Sequence, residues 1–184
     1  TLASKLSKLK TKLPESLLAI DESGDHVSIA VTDIELRIDR SAFSITIADT
    51  KGTILSKGKP LQFDENTISD SRLNASAEDF FGLGERITPY GRRGYSVVNW
   101  NIDKPQHHNE TDANLYTSFP FYISVNPSTG KLFGYFLDCS YKTEFDMGAT
   151  DWNSSIITAH SPEYNLYVFA GSFQQILGTY TELT

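Results

Sequence analysis

The stretch VSIAVTDIELRIDRSAFSITIA, residues 27–48, decides the fold class. Apolar side chains recur in it at every second position, which is the period of a β-strand with one buried face. Only a few residues separate its three alternating runs, and such short connections join antiparallel strands, whereas parallel strands need long crossovers. The stretch therefore predicts antiparallel strands over 27–31, 34–38 and 43–47.

The rest of the chain repeats this strand-and-turn pattern. An apolar, aromatic run over 116–125, the turn NPSTG at 126–130 and the run 131–138 predict a hairpin. Many short strands with turns between them are typical of two sheets packed face to face. We therefore predict an all-β, antiparallel β-sandwich. Its further strands are expected at 142–145, 154–159 and 165–170.

The sequence predicts one helix, at its C-terminal end. Ser172 can cap it, and Gln175, three positions later, completes a capping box. Because Gly178 lowers helix stability by about 1 kcal/mol relative to Ala, the apolar stripe of the helix must pack against another element. The helical pattern reaches Thr184 without a capping residue, so we expect the natural polypeptide to continue. The stripe contains Phe173, Ile176, Leu177, Tyr180 and Leu183.

The chain has 184 residues, of which 39% are hydrophobic and 12% aromatic. This composition suffices for the core of one domain. We expect that domain to span residues 25–184, and residues 1–24 to form an N-terminal arm. Leucines at positions 2, 6, 9 and 13 give the arm the spacing of a short amphipathic helix.

Charge and composition narrow the class of partner. The net charge of −7 disfavours nucleic acid and anionic membranes, which bind clustered cations. No apolar run approaches the roughly 20 residues of a membrane-spanning helix, and the N-terminus lacks a signal-like apolar core. We therefore expect a neutral partner and no membrane contact; the compartment stays open, with the cytoplasm favoured. Cys139 is the single cysteine, which excludes an internal disulfide.

Sequence signatures of catalysis are missing. Gly82 and Gly84 begin a dinucleotide-loop pattern, but Ile87 stands where its third glycine would be. His107 and His108 are neighbours in a polar stretch, with no Cys or third His placed to complete a metal site. Carboxylates are plentiful, yet none can be paired as acid and nucleophile. We therefore predict no catalytic residue, no metal site and no cofactor in this chain.

Residues 80–105 concentrate glycines, arginines and aromatics. The four charged residues Glu85, Arg86, Arg92 and Arg93 are interpreted first as braces, with Glu85 and an arginine pairing across a tight turn. A ligand role is the alternative for these four residues.

Asp103 stands out because it opens a polar stretch that runs to Asn114, directly after Trp100 and Asn101. A carboxylate accepts hydrogen bonds from sugar hydroxyls, and a nearby aromatic ring covers the apolar face of a sugar. A turn residue ahead of Pro105 is the other interpretation, and the sequence slightly favours it.

Several motifs, in order, resemble the N-terminal domain of glycoside hydrolase family 31, the α-glucosidase family. At position 139 a Cys stands where an Asn is common in the family. The closing YTELT, at 180–184, is similar to the run that leads into the family's catalytic barrel. The motifs are FFGLGER at 80–86, RRG at 92–94, NWNID at 99–103, LYTSFPFYI at 115–123, GYFLDCS at 134–140, YKTEFDMG at 141–148 and YVFAG at 167–171.

The resemblance implies a β-sandwich of the galactose-mutarotase-like type, attached to a (β/α)8 barrel in the same polypeptide. The two carboxylates of the retaining mechanism, about 5 Å apart, belong to that barrel, so this chain alone is expected to be inactive. It also implies a loop over the active-site mouth, in which the Asp of the NWNID motif contacts the substrate, an α-glucoside or oligosaccharide. That match makes Asp103 the first candidate for substrate contact, with Trp100 and Asn101 as further candidates.

Two other functions remain open at this point. Trp100 and Trp152, if exposed, would suit a free-standing carbohydrate-binding module. Fold kinship alone suggests an aldose mutarotase, whose chemistry needs a positioned His and acid, and the four histidines show no such arrangement.

Overall fold

The computed structural model describes residues 18–22, 24–31 and 33–184, and this part of the chain forms two antiparallel sheets and one helix. The larger sheet contains β1 (Leu18–Asp21), β2 (His26–Val31), β3 (Ile34–Asp39), β4 (Ser44–Asp49), β5 (Ile54–Gly58), β6 (Gln62–Asp64), β7 (Thr67–Leu73), β9 (Ser96–Asn99), β12 (Thr143–Asp146) and β13 (Ser154–Ala159). The smaller sheet contains β8 (Asp79–Gly82), β10 (Phe121–Asn126), β11 (Lys131–Leu137) and β14 (Leu166–Phe169).

Strand order in the larger sheet is β1-β2-β3-β4-β5-β7-β13-β12-β9, with β6 added on β7. The order in the smaller sheet is β14-β11-β10-β8. Neighbouring strands run antiparallel throughout, so the predicted all-β sandwich is confirmed. The three strands predicted from the alternating runs of residues 27–48 correspond to β2, β3 and β4.

The larger sheet begins nearer the N-terminus than the alternating pattern of apolar residues predicts. β1 pairs with β2 from Leu18 to Asp21, inside the stretch that we predicted as an arm. Residues 1–17 of the predicted arm, which carry its leucine spacing, and residue 23 lie outside the described residues. No helix in the described ranges is long and apolar enough to cross a membrane.

The predicted strand over 116–125 is wrong at its start, because β10 begins only at Phe121. Its partner β11 ends at Leu137, whose N–H donates to the carbonyl of Pro120 at 2.9 Å. Beyond this bond the chain turns away, since proline has no N–H to extend the ladder. Residues 116–120 therefore belong to the loop before β10.

The smaller sheet is buried on both faces. Tyr122 points into the space between the sheets and stacks on Tyr135, with ring centroids 5.0 Å apart. Phe121 and Ile123 point the other way and pack against the helix. A strand that is covered on both faces is apolar at successive positions, which explains the continuous run FYISV in β10.

The helix α1 (Phe173–Leu183) covers the outer face of the smaller sheet. Its predicted capping box is present: the Gln175 N–H donates to Ser172 Oγ, and the Ser172 N–H donates to Gln175 Oε1 at 2.8 Å. Ile176 and Leu183 are buried against the sheet. The predicted stripe is too wide, because Phe173 and Leu177 stay exposed beside that contact line.

Candidate functional site

A tight turn at the end of β8 positions Arg86 at the candidate site. Gly82, Leu83 and Gly84 all have positive φ, and a Cβ on Gly82 would lie 2.5 Å from the Phe121 carbonyl oxygen. Leu83 accepts a backbone conformation that is costly for a side chain, and its complete burial in the core offsets this cost. The turn directs the following residues, Glu85 and Arg86, towards the base of the loop between β9 and β10.

That loop, residues 100–120, contains the polar stretch 103–114 noted in the sequence, and its two ends lie side by side. We call residues 98–104 the outgoing segment and residues 112–118 the returning segment. The Val98 N–H donates to the Ala113 carbonyl at 2.7 Å, and the Ile102 N–H donates to the Leu115 carbonyl at 3.0 Å. Leu115 is only 3% exposed, so the returning segment is anchored in the domain.

Asp112 holds the far part of the loop together. Its carboxylate forms an ion pair with Lys104 and accepts the Asn109 N–H at 2.9 Å. The hydrogen bond from Lys104, followed by that from Asn109, holds the pKa of Asp112 below its usual range. Tyr116 adds a bond from its hydroxyl to the Lys104 carbonyl at 2.6 Å. The loop therefore has an internal set of contacts that fixes its shape.

Arg86 joins the two segments at the base of the loop. Its guanidinium donates to the Val98 carbonyl at 3.1 Å, to Asn99 Oδ1 at 2.7 Å and to the Thr117 carbonyl at 3.1 Å. Burial, and then the nearby charge of Arg92, lower the pKa of Arg86 to about 10, so the group is still charged at neutral pH.

The other two arginines brace neighbouring turns. Arg92 donates to the Gly82 carbonyl at 3.0 Å and to the Pro89 carbonyl at 2.7 Å. Arg93 donates to carbonyls of Ala75, Glu78 and Trp152, at 3.0, 2.6 and 2.7 Å. The expected bracing role is thus present.

Of the predicted pairing between Glu85 and an arginine, the described residues show only an electrostatic interaction with Arg86, without a hydrogen bond to the Glu85 carboxylate. The acceptors of the three arginines are mostly main-chain carbonyls, and Glu85 is exposed. A guanidinium carries five donors in a rigid fork, which lets it bind several carbonyls of irregular backbone at once.

A cleft of about 380 Å³ lies between the long loop and the turn that follows β11. We call it the loop cleft. Trp100 and Tyr141 on its rim are 53% and 59% exposed, and its lining carries no charged side chain. Such a surface fits an uncharged ligand with both apolar faces and hydroxyl groups. Its walls include Trp100, Asn101, Ser118, Cys139, Ser140 and Tyr141.

The floor of the loop cleft is formed by Asn99 and Thr143, which face each other across β9 and β12. Arg86 is a donor only, so the bond at 2.7 Å fixes the Asn99 oxygen towards it. Asn99 Nδ2 and Thr143 Oγ1 are both buried without a partner among the described residues. The floor therefore keeps hydrogen-bonding capacity that the described fold does not use.

The three predicted site residues fall into two groups. Trp100 and Asn101 line the loop cleft, and Asn101 Oδ1 accepts a hydrogen bond from Ser118 Oγ at 2.5 Å. Asp103 lies further along the outgoing segment, is exposed, and does not line the cleft. No hydrogen bond or ion pair joins its carboxylate to another described residue.

If Asp103 stabilised a turn, its carboxylate would be expected to accept the backbone N–H groups of the residues that follow it. Asp39 and Asp146, which do stabilise turns in this protein, accept backbone N–H groups of the residues that follow them. The Asp103 carboxylate forms no such bond within the described ranges.

Sequence reasoning missed the far wall of the loop cleft, which consists of Cys139, Ser140 and Tyr141. These residues follow β11, some 40 positions after Trp100, and only the pairing of β9 with β12 brings the two segments together. The available signal was an exposed aromatic, Tyr141, in a short turn between two strands.

Comparison with known proteins decides the family. A model described as the glycosyl hydrolase 31 N-terminal galactose mutarotase-like domain matches residues 4–146. The chain belongs to this family.

Relatives of this family 31 domain are much longer proteins. Alpha-glucosidase 2 of Bacillus thermoamyloliquefaciens is 28% identical over 179 residues, which are 94% of this chain and 22% of the relative. An alpha-glucosidase of Saccharolobus solfataricus is 33% identical over 108 residues, 58% of this chain and 15% of the relative. The matches thus cover only 22% and 15% of the length of these two relatives.

Solved structures agree with the family. A family 31 dextranase from Flavobacterium johnsoniae, solved in complex with isomaltotriose, superposes with a TM-score of 0.74 at 26% identity. The match covers 89% of this chain and 20% of the dextranase chain.

Trp152, the second exposed tryptophan, packs against the family 31 domain itself. Its ring lies 4.6 Å from the Arg93 guanidinium carbon, and a Cβ on Gly94 would lie 3.1 Å from the ring. The described ranges contain no group of three His, Cys, Asp or Glu residues that could hold a metal ion.

Proposed function

We propose that this chain is the non-catalytic sandwich domain of an enzyme that hydrolyses α-linked glucosides, and that its long loop contributes to sugar binding. The observation that carries the proposal is the loop cleft, an uncharged surface with one exposed aromatic on each side: Trp100, on the segment that bears the family motif NWNID, and Tyr141, on the far wall. The names of the relatives, α-glucosidases and α-xylosidases among them, support a substrate with an α-glycosidic bond.

Each residue has a defined task in this proposal. The Trp100 and Tyr141 rings cover the apolar faces of sugar rings, and Asn101 and Ser118 hydrogen-bond their hydroxyls. Asp103, with a carboxylate free of contacts among the described residues, accepts hydrogen bonds from a further sugar unit. Charge-assisted bonds of this kind are stronger than neutral ones, which suits a residue that selects for hydroxyl groups.

The groups that break the glycosidic bond belong, in this proposal, to a (β/α)8 barrel of the same polypeptide. Retaining glycosidases need a nucleophile and an acid/base about 5 Å apart. The deeply buried acids of this domain have structural partners instead: Asp70 binds Arg72, and Glu78 accepts hydrogen bonds from Ser124 and from the Ala75 N–H. Burial raises the pKa of Glu78, but Glu78 does not line the loop cleft.

An assay of this chain alone, beside the full-length protein, tests the division of labour. We expect the full-length protein to hydrolyse a chromogenic α-glucoside and the purified 184-residue chain to leave it intact. Robust turnover by a homogeneous preparation of the chain would overturn the non-catalytic assignment.

Family membership favours neither of the two alternative functions. A carbohydrate-binding module would bind maltooligosaccharides unaided, whereas half of a binding site should bind them only very weakly. Calorimetry on the chain alone separates these outcomes. A mutarotase would speed the interconversion of glucose anomers in polarimetry, and we expect no such acceleration.

A further inference from the structure

We propose that Arg86 is a positioning residue for sugar binding: it sets the geometry of the loop cleft without contacting the sugar. This inference rests on the proposed function, since it assigns a task to a residue outside the cleft. Of the three arginines in residues 80–105, Arg86 alone binds both segments of the long loop among the described contacts.

The bonds of Arg86 reach residues that directly flank the walls of the loop cleft. Val98 and Asn99 precede Trp100 and Asn101 on the outgoing segment. Thr117 precedes Ser118 on the returning segment. One guanidinium therefore fixes the distance between the two segments at the points where they enter the cleft.

Main-chain contacts of the same motif strengthen this link. The Glu85 N–H donates to Thr117 Oγ1 at 3.2 Å. A Cβ on Gly84 would lie 3.0 Å from the Thr117 carbonyl oxygen, so the motif packs directly on the returning segment. The stretch from Gly84 to Arg86 thus holds the returning segment with backbone and side chain together.

Only a guanidinium can make this junction. Its planar fork presents donors in several directions at once, whereas a lysine ammonium is a single point on a flexible stem. Two of the acceptors are carbonyls on different segments, 19 positions apart in the sequence, and no carboxylate bonds to Arg86 within the described part of the chain. A lysine at this position can reach one segment and leaves the other without its donor.

Arg93 provides a matched control. It is a buried guanidinium from the same stretch of the chain, and it also donates to main-chain carbonyls. Its partners, Ala75, Glu78 and Trp152, lie outside the long loop. Replacement of Arg93 by Lys therefore measures the general cost of losing a buried guanidinium, without the effect on the loop.

Steady-state kinetics of the full-length protein on an α-glucoside tests the inference. We expect Arg86→Lys to raise KM about tenfold while kcat changes less than twofold, because a shift of the walls by a fraction of an ångström weakens sugar contacts. Arg93→Lys should lower the thermal midpoint and leave KM unchanged. If Arg86→Lys does not fold, Arg86→Gln, which keeps an amide donor for one segment, replaces it with the same expectation.

Hydrogen-exchange mass spectrometry on the same proteins gives a second readout. Exchange at the Val98 and Ile102 amides, which bond to the returning segment, should accelerate in the Arg86 variant and not in Arg93→Lys. Unchanged KM and exchange in the Arg86 variant, or equal rises of KM in both variants, would overturn the positioning role.

A third variant separates this inference from the proposed function. Trp100→Ala removes a cleft wall directly, so it should raise KM whatever the role of Arg86. If Trp100→Ala raises KM and the Arg86 variant does not, only the positioning role fails. If neither variant alters KM, the sugar-binding role of the loop cleft fails as well.

Discussion

Asp70 and Arg72 lie on the same face of β7 and form a buried ion pair between the two sheets, with Arg72 Nη2 donating to Asp70 Oδ2 at 2.7 Å. Tyr135 and Tyr164 donate their hydroxyls to the same carboxylate oxygen at 3.0 and 3.1 Å. Burial lowers the pKa of Arg72, but the Asp70 carboxylate and the nearby tyrosines Tyr135, Tyr122 and Tyr164 together outweigh it, and the net pKa is raised. The Arg72 guanidinium therefore stays charged inside the sandwich.

Removal of one partner of this pair should destabilise the domain strongly. We expect Asp70→Ala to lower the free energy of unfolding by about 3–5 kcal/mol, because the guanidinium then stays buried without its carboxylate. Urea denaturation of the chain measures this change. The double variant Asp70→Leu/Arg72→Met, which removes both charges, should cost less than the single variant. A loss below about 1 kcal/mol for Asp70→Ala would contradict the view that the pair is tightly coupled.

Two glycines, one on the sheet beneath the helix and one on the exposed side of the helix, should respond in opposite directions to alanine. A Cβ on Gly134 would lie 2.6 Å from Ile176 Cγ2, and Ile176 is fully buried. We expect Gly134→Ala to cost about 1–3 kcal/mol, the usual cost of overpacking a core.

Gly178 is the matched control, because no atom lies within 4 Å of a Cβ placed there. Gly178→Ala should stabilise the helix by about 1 kcal/mol through helix propensity. Thermal denaturation of both variants checks the pair. Equal effects of the same sign would show that α1 does not pack as closely on β11 as the structure has it.

Asp49 makes the stability of the domain sensitive to acid. The hydrogen bond from Lys131, at 2.9 Å, and then the Thr53 N–H lower the pKa of Asp49 to about 2. Since the pKa is lowered in the folded state, the stabilisation is complete above the unfolded value near 4 and is lost as the pH falls from about 4 to about 2.

The test is a comparison of denaturation midpoints between pH 6 and pH 2 for the wild type and Asp49→Asn. Other carboxylates with lowered pKa are common to both proteins, so the difference between the two profiles isolates Asp49. We expect Asp49→Asn to be less stable than the wild type at pH 6, and the difference between the two proteins to disappear as the pH approaches 2. A deficit that stays constant across this range would contradict the lowered pKa.

Local periodicity predicted the elements that are buried on one face. Ile34, Leu36 and Ile47, which belong to the alternating runs of β3 and β4, pack in the core between the sheets. The capping box of α1 is also local, since Ser172 and Gln175 are three positions apart. Structural features that depend on contacts between neighbouring residues can be predicted from the sequence of those residues alone.

Contacts between segments that are far apart in the sequence could not be predicted in this way. The start of β10 depends on where β11 stops pairing, and the far wall of the loop cleft depends on the register that places Asn99 opposite Thr143. Apart from Asn99 Oδ1, the partners of Arg86 are main-chain carbonyls, which every residue has, so residue type could not reveal them. Resemblance to family 31 named Trp100 and Asn101 as candidates, and the structure shows that Tyr141 and its neighbours line the same cleft.

We propose that this domain binds part of the substrate while a separate catalytic part of the polypeptide breaks the glycosidic bond. Steady-state kinetics of the full-length protein tests this division most directly. Asp103→Ala should lower kcat/KM for α-glucosides by about 10-fold to 100-fold, the usual effect of losing a hydrogen bond to a charged group. Glu110→Ala, which removes another exposed acid of the same loop, is the control and should change nothing. Unchanged kinetics for Asp103→Ala across several α-glucosides, or an equal loss in both variants, would contradict the claim.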